Sequence, residues 1–302
     1  MSEGIIAPQI NIADVGAFGG VDPGWAIIGD CLHVYGFEPN KEECKRLIDN
    51  GCDFVRSVSF VDKAIAASSG IQTLFLPRSA TCASLRKPLD SQFSRFSKIG
   101  SQRNRRASNI RGVSVETINL QEFGQRNGVV FDFIKLDTQG TEFDILESCE
   151  AAFYDNLIGL EVEVEFIPLY EDQKLFSEIE LFLRNKGFSL VGLRRNHWKL
   201  NNGTDSTLRS GGMLTYGDAL FFKTELVSGY GRTESITKLA LLALRYDLWD
   251  LIEFLIQKID LDLREFDTFV ARLDQRSKTH QYPSHSSREN PHEVHADQRF
   301  GF

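Results

Sequence analysis

The chain has 302 residues and a formal net charge of −8, long enough for a full core plus an appendage and too acidic to support general nucleic-acid binding. Hydrophobic and charged fractions of 42% and 25% are those of a soluble globular protein. The five cysteines, Cys31, Cys44, Cys52, Cys82 and Cys149, form no CxxC pair, which argues against a disulfide framework or zinc site. Neither a membrane span of roughly 20 apolar residues nor a signal-peptide pattern is present, so a cytoplasmic, non-membrane protein is expected.

Residues 9–15 predict a first strand that runs into the glycine turn of NIADVGAFGGVDPGW, residues 11–25. Asp14, Gly16, Gly19 and Gly20 stand where the strand ends, so the backbone can bend sharply and admit a ligand. Asp22 followed by Pro23 marks a helix start reaching about residue 30. A second strand, LHVYGFEPN at 32–40, ends in the carboxylate of Glu38; a helix over 41–50 follows and stops at Gly51. Residues 58–67 read as a third strand, and 72–76 as an edge strand closing a hairpin over Ser68-Ser69-Gly70.

From 78 to 111 the texture changes: nine Lys or Arg stand against the single acid Asp90. A long exposed loop is expected, either a solvated surface segment or a lid over an anionic substrate. Only Phe93 and Phe96 interleave with the bases, which disfavours nucleic acid. Strands return at 113–120 and 130–136. The latter, in FDFIKLDTQGTEFDILE, terminates in Asp137 and is followed by Gly140 and a helix carrying Glu142. LIGLEVEVEF at 157–166 alternates as a strand and puts Glu161, Glu163 and Glu165 on one face. A helix over 172–186, a strand at 188–193, a mobile polar connection at 194–217 and a last strand at 219–223 complete about seven strands in βα alternation, which implies parallel pairing. Residues 236–259 carry an apolar helical stripe that docks on the domain or on a second copy. The stretch 277–302 holds four of the six histidines among polar residues and is expected to be disordered, not a metal site. The division is thus 1–227 for the main domain, 228–276 for a helical extension and 277–302 for the tail.

Strand, glycine turn, helix, strand, acid describes a nucleoside-binding half-sheet, in which Glu38 accepts hydrogen bonds from both hydroxyls of a ribose. A dinucleotide site would want GxGxxG. Here Ala17 and Phe18 follow Gly16, and Asp14 precedes it. A carboxylate at that position repels a pyrophosphate and suits a cation; S-adenosyl-L-methionine has no phosphate and carries an ammonium and a sulfonium.

DVGAFGG, GFEPN, FDFIKLDTQGTEFDILE, then EVEFIPLYEDQKLFSEI with a downstream NKGFSLVGL, in this order, resemble the FkbM-type methyltransferase family over about residues 11–223. Asp14, Gly16 and Gly20 match that family's cofactor loop, in which Ala17 also lies, and Glu38 matches its ribose acid. Lys135, Asp137, Gly140 and Glu142 match its KxDxxGxE signature. Phe18 departs from the pattern, which commonly has Asn there. The resemblance implies an α/β, Rossmann-like class I fold, a seven-stranded mostly parallel sheet whose last strand is antiparallel. It implies methyl transfer from S-adenosyl-L-methionine to oxygen on a saccharide or polyketide-like hydroxyl. Asp14, Gly16, Ala17, Gly20, Glu38 and Asp137 form the expected cofactor set.

Methyl transfer is an in-line displacement in which positioning supplies much of the acceleration. What remains is removal of the hydroxyl proton by a base or its stabilisation by a metal. Asp137, Glu142 and Glu163 are the catalytic candidates, with Gln139, Glu161 and Glu165 beside them. Each has a structural alternative: Glu142 can stabilise its helix start, Asp137 can bind the methionine part of the cofactor, and the glutamates of 161–165 can form an exposed face. A divalent metal bridging Asp137 and Glu163 stays open, with no HxH or paired-aspartate motif behind it. His197 in RRNHW is a further possible base. The leading expectation is an O-methyltransferase of small molecules. The alternative is a non-catalytic cofactor-binding or interaction protein assembled, as a homo-oligomer, through its C-terminal helices. Nucleic-acid methylation ranks third, because the Asn/Asp-Pro-Pro-Tyr/Phe motif is absent.

Overall fold

The computed structural model describes residues 7–77, 82–96, 110–200, 212–261 and 263–277. Seven strands form the main sheet: β1 (Ile10–Val15), β2 (Leu32–Phe37), β3 (Ser57–Val61), β7 (Phe133–Leu136), β8 (Gly159–Glu165), β9 (Phe188–Trp198) and β10 (Met213–Lys223). Their order is β3-β2-β1-β7-β8-β10-β9. The first five are parallel to their neighbours, and β10 runs antiparallel to both β8 and β9. This is the class I methyltransferase arrangement that the βα alternation and the resemblance lead one to expect.

A second sheet, of order β4-β6-β5, is built from β4 (Ala64–Ile65), β5 (Gly70–Leu76) and β6 (Arg111–Ile118). It corrects the reading of 58–67 as one strand and of 72–76 as its hairpin partner. The chain leaves the main sheet after Val61, and β4 pairs in parallel with β6. With that edge of β4 taken, the turn at 66–69 sends β5 to the far side of β6, where Gly70 pairs with Thr117 and Leu76 with Arg111.

The helices follow their local signals. In α1 (Lys41–Asn50), Asn40 Oδ1 accepts from the amides of Glu42 and Glu43 at 3.1 and 3.2 Å, and Gly51, at φ 62°, ends it. Asp22 caps its helix as expected, accepting from Gly24 N at 2.6 Å, but the segment Pro23–Cys31 is a 3-10 helix, η1, kinked at Ile28. A Cβ on Gly29 would lie 1.7 Å from Phe54 O, so η1 is pressed directly onto a neighbouring backbone.

Both faces of the main sheet are covered. Ile10, Ile12, Val34, Phe133, Leu220 and Phe222 pack on Trp25 and Ile28 of η1, Leu239–Leu244 of α8 (Thr233–Arg245), and apolar residues of α9 (Trp249–Lys258) and α10 (Leu263–Ser277). The C-terminal helical stripe therefore docks on the sheet of its own chain. The other face, Ala13, Val15, Ile134, Leu136, Val162 and Val164, packs on α3 (Leu120–Asn127), α4 (Glu142–Glu147), α5 (Ala151–Asp155) and α6 (Phe176–Asn185). The short helices α2 (Asp90–Phe93) and α7 (Thr224–Val227) complete the set. Among the described residues no helix is long and apolar enough to cross a membrane.

Two segments read as loops are structured. Within 78–111, residues 82–96 hold Phe93 and Phe96 buried against Ile167, Leu169 and Tyr170, with bridges from Ser84 to Phe75 and from Pro88 to Tyr170. Burial of the two rings outweighs the polar composition around them; residues 78–81 and 97–109 lie outside the described set. Likewise β9 and β10 extend to Trp198 and from Met213, because Arg194 pairs with Asp218 and Asn196 with Tyr216 across the ladder. Residues 201–211 of that connection and 278–302 of the tail are also outside the described residues.

Candidate active site

A cavity of about 160 Å³ opens at the carboxyl ends of β1, β2 and β7, the place where open α/β sheets bind ligands. The turn after β1 supplies Gly16 and Phe18, the end of β2 supplies Phe37 and Glu38, and the turn after β7 supplies Asp137, Thr138 and Gln139. The small sheet closes the side with Ile65, Leu74 and Leu76, and Ala83 to Leu85 reach over it. Among the described residues, none that lines the cavity is Lys or Arg.

The glycine turn is shaped by close approach. Gly16 has φ +86°, and a Cβ there would fall 2.0 Å from Asp137 O, so the turns after β1 and β7 touch backbone to backbone. The amides of Gly16 and Ala17 both donate to Phe37 O at 3.1 Å, and Gly20 N donates to Ala17 O at 2.9 Å. Ala17 and Gly20 thus form the turn without lining the cavity, whereas Phe18, the residue that departs from the family pattern, does line it.

Glu38 is buried at 5% exposure, and its Oε1 accepts from Asn40 N at 2.7 Å. Burial pushes its carboxyl up to about 7, against the pull of the Asn40 amide. Asp14 is also buried but faces Lys135, whose Nζ lies 3.4 Å from Asp14 Oδ1 and 4.0 Å from Asp137 Oδ2. Neither Asp14 nor Lys135 lines the cavity, and Asp14 is linked to the cavity-lining Asp137 through Lys135. Burial pulls the Lys135 ammonium down, but the carboxylates of Asp14, Asp137 and Glu161 outweigh it and hold it above its ordinary range.

Gln139 joins the catalytic candidates. Its backbone sits at φ 61°, left-handed and unusual for a residue with a side chain. Its Nε2 donates to Asp137 Oδ1 at 2.9 Å and to Glu163 Oε2, while Oε1 accepts from the Tyr170 hydroxyl at 2.9 Å, which fixes the amide's orientation. Its carbonyl accepts from Ser84 Oγ at 2.8 Å, tying the 82–96 segment to the site. Asp137 and Glu163 are thereby held on one amide. Glu163 is buried, and burial first, then Asp137, Glu165 and Asp218, raise its carboxyl well above the usual range. Opposite it on β10, Asp218 Oδ2 accepts from Arg194 Nη2 at 2.6 Å.

Glu142 stands apart from the other two. It is 1% exposed and, like Glu163, is not among the residues that line the cavity. Its carboxylate accepts from Thr138 N (2.7 Å), Thr138 Oγ1 (2.9 Å) and Gly140 N (2.9 Å), so it faces the turn that presents Asp137 and Gln139 instead of the ligand space. Burial raises it to about 7. Glu161 is half-buried next to Lys135 in the β7–β8 register, Glu165 is buried, and His197 is exposed on β9 opposite Leu214, away from the cavity lining. No group of three or more His, Cys, Asp or Glu among the described residues is arranged to hold a metal ion. Ser84 carried no motif by which the sequence could single it out, and Tyr170 lies within EVEFIPLYEDQKLFSEI with nothing there to mark its hydroxyl.

The described lining fits a phosphate-free, cationic nucleoside: it presents two carboxylates, Glu38 and Asp137, and, among the described residues, no cation to pair with a pyrophosphate. A search of curated protein sequences finds no match. Solved structures of similar fold include magnesium protoporphyrin IX methyltransferase of Synechocystis PCC 6803 with bound S-adenosylmethionine, 11% identical over 72% of this chain and 71% of that one, TM-score 0.36. Others are M. capricolum TrmK with S-adenosylhomocysteine (10% identity, 91% and 92% coverage, TM-score 0.35) and a SAM-dependent methyltransferase of Methanosarcina mazei (8%, 72% and 94%, 0.32). The model of the methyltransferase FkbM domain matches residues 14–190, more than half of the chain. The protein thus belongs to the FkbM methyltransferase family and uses S-adenosylmethionine.

Proposed function

We propose that the enzyme methylates a hydroxyl of a small molecule, a saccharide or polyketide-like natural product. The observation that carries this reading is the pairing of the cavity-lining Asp137 with the buried Glu163 on the amide of Gln139, which also lines the cavity. S-adenosylmethionine, when bound, supplies a methyl group already activated by its sulfonium. Glu38 holds the ribose hydroxyls, and the apolar wall of Phe37, Ile65 and Leu74 receives the base. Asp137, kept in place by Gln139 and Lys135, takes the ammonium of the methionine part.

Glu163 then accepts the proton of the attacking hydroxyl. Burial and the neighbouring carboxylates of Asp137, Glu165 and Asp218 raise its proton affinity, which makes its anion a strong base. Glu142 is a positioning residue that fixes the 138–140 turn. The Arg194–Asp218 pair beside Glu163 and the Trp198 and Tyr216 rings, 5.8 Å apart, offer the mixture of charge and aromatic surface that suits a polyhydroxylated acceptor.

The test is isothermal titration with S-adenosylhomocysteine, NADH serving as the comparison ligand, followed by methyl transfer to panels of saccharides and polyketides. Micromolar binding of the first, none of the second, and turnover that collapses in Glu163→Gln support the assignment. Full turnover in that variant sinks Glu163 as the proton acceptor.

A further inference from the structure

The end of α8 lies outside the matched span of 14–190 yet reaches the charges under the site. Tyr246 is buried, with its hydroxyl bonded to Glu161. Its ring lies edge-on to Trp25 at 6.1 Å and tilted against Phe133 at 6.1 Å. Glu161 stands opposite Lys135 in the sheet, and Lys135 in turn sits between Asp14 and Asp137.

The preceding residue, Arg245, places Nη2 3.1 Å from Asp22 Oδ1. Asp22 caps η1 and comes two residues after the glycine turn. The Arg245 guanidinium lies over the rings of Trp25 (5.5 Å) and Tyr246 (5.3 Å), and a Cβ on Gly24 would fall 2.6 Å from its Cζ.

A helix that merely covered an apolar face would not carry a phenol and a guanidinium inward, because burying polar groups costs unless they are paired. Tyr246 finds its partner in Glu161, beside Lys135, and Arg245 Nη2 finds its partner in Asp22, while Arg245 Nε makes no hydrogen bond among the described residues. We propose that α8 is a component of the cofactor site, in which Tyr246 positions Lys135 and Asp137 through Glu161, and Arg245 positions the glycine turn through Asp22. Neither residue lines the cavity; both are positioning residues. The inference rests on the reading of the cavity as the cofactor site.

The experiment measures S-adenosylhomocysteine affinity by titration calorimetry on the full chain, with the melting temperature recorded for every variant. Wild type comes first: no binding sinks the cofactor reading and this inference together. Tyr246→Phe, which keeps the ring and its packing, is expected to weaken binding about fivefold, the scale of one charge-assisted hydrogen bond lost at one remove from the ligand. Combined with Glu161→Gln it is expected to add nothing further, because its effect passes through Glu161. Arg245→Gln is expected to weaken binding similarly, and Arg245→Lys, which keeps the charge toward Asp22, to restore most of it. Wild-type affinity in folded Tyr246→Phe, or full additivity with Glu161→Gln, overturns the proposal. If Arg245→Gln fails to fold, Tyr246→Phe and the double variant decide.

Discussion

Replacing Glu38 by Gln keeps the side chain's size and removes its charge, and the structure sets both the size and the pH dependence of the result. Oε1 already accepts the Asn40 amide, and the ribose diol would add donors to a carboxylate that has lost most of its contact with water. Charge-assisted bonds contribute about 1.5–3 kcal/mol each, and Gln offers one acceptor where Glu offers two. The expected loss is about 2–4 kcal/mol, or roughly 30- to 1,000-fold in Kd. The carboxyl without ligand titrates at about 7. Hydroxyl donors favour the anion, so binding lowers that value and releases a proton at acid pH. Affinity should therefore fall as pH drops below 7, by about tenfold between pH 8 and pH 6, and this slope should vanish in Glu38→Gln. Titration calorimetry with S-adenosylhomocysteine at both pH values measures it. Wild-type affinity that is flat across the window, or a Gln variant within threefold of wild type, would refute the reasoning.

Gly16→Ala should abolish cofactor binding and lower stability by more than about 2 kcal/mol, since it combines a left-handed φ with a Cβ 2.0 Å from Asp137 O; denaturant melts and calorimetry check it, and a wild-type melt would show that the two turns can part freely. Glu142→Ala removes the acceptor of three hydrogen bonds and leaves buried donors that cost about 1–3 kcal/mol each. Its melting temperature should fall by several degrees, with weaker S-adenosylhomocysteine binding alongside. Glu38 and Glu142 both titrate near 7 in the folded chain, above their ordinary 4.5. The stability they contribute is complete below the unfolded value and is lost as pH rises through 7. Differential scanning fluorimetry should accordingly give a higher melting temperature at pH 6 than at pH 8; the opposite order contradicts the burial of these two groups.

How much could be read beforehand depended on how local each signal was. The glycine turn, the Asp22 cap, the stop at Gly51 and the acid ending β2 were legible because each is written within a few consecutive residues. The small sheet was not, since the choice of β6 over β4 as the partner of β5 depends on residues 40 positions downstream, with nothing in Gln72–Leu76 to announce it. The full length of β9 and β10 was hidden because Arg194 and Asp218 satisfy each other across the ladder, so that these polar residues and Asn196 read as loop. Asp137 and Glu163 were named as candidates from their strand ends, but the amide that joins them belongs to a residue with positive φ, whose partners at 163 and 170 only the fold supplies. Glu142 illustrates the limit of a motif. KxDxxGxE shows that a carboxylate is wanted four residues after Thr138, not whether it faces a ligand or its own turn.

The placement of α8 also bears on how the chain reaches its folded state. Ile10, Ile12 and Val34 share a core with Leu239 to Leu244, so the earliest strands wait for a partner more than two hundred residues away. At a synthesis rate of about 5–20 residues per second, that interval is roughly 10–45 seconds. Over this time one face of the nascent sheet has no cover from α8 and is exposed to aggregation, and contacts of such sequence separation close slowly even in the finished chain. Refolding from denaturant should therefore be slow and sensitive to protein concentration, and a chaperone that shields apolar strands should raise its yield.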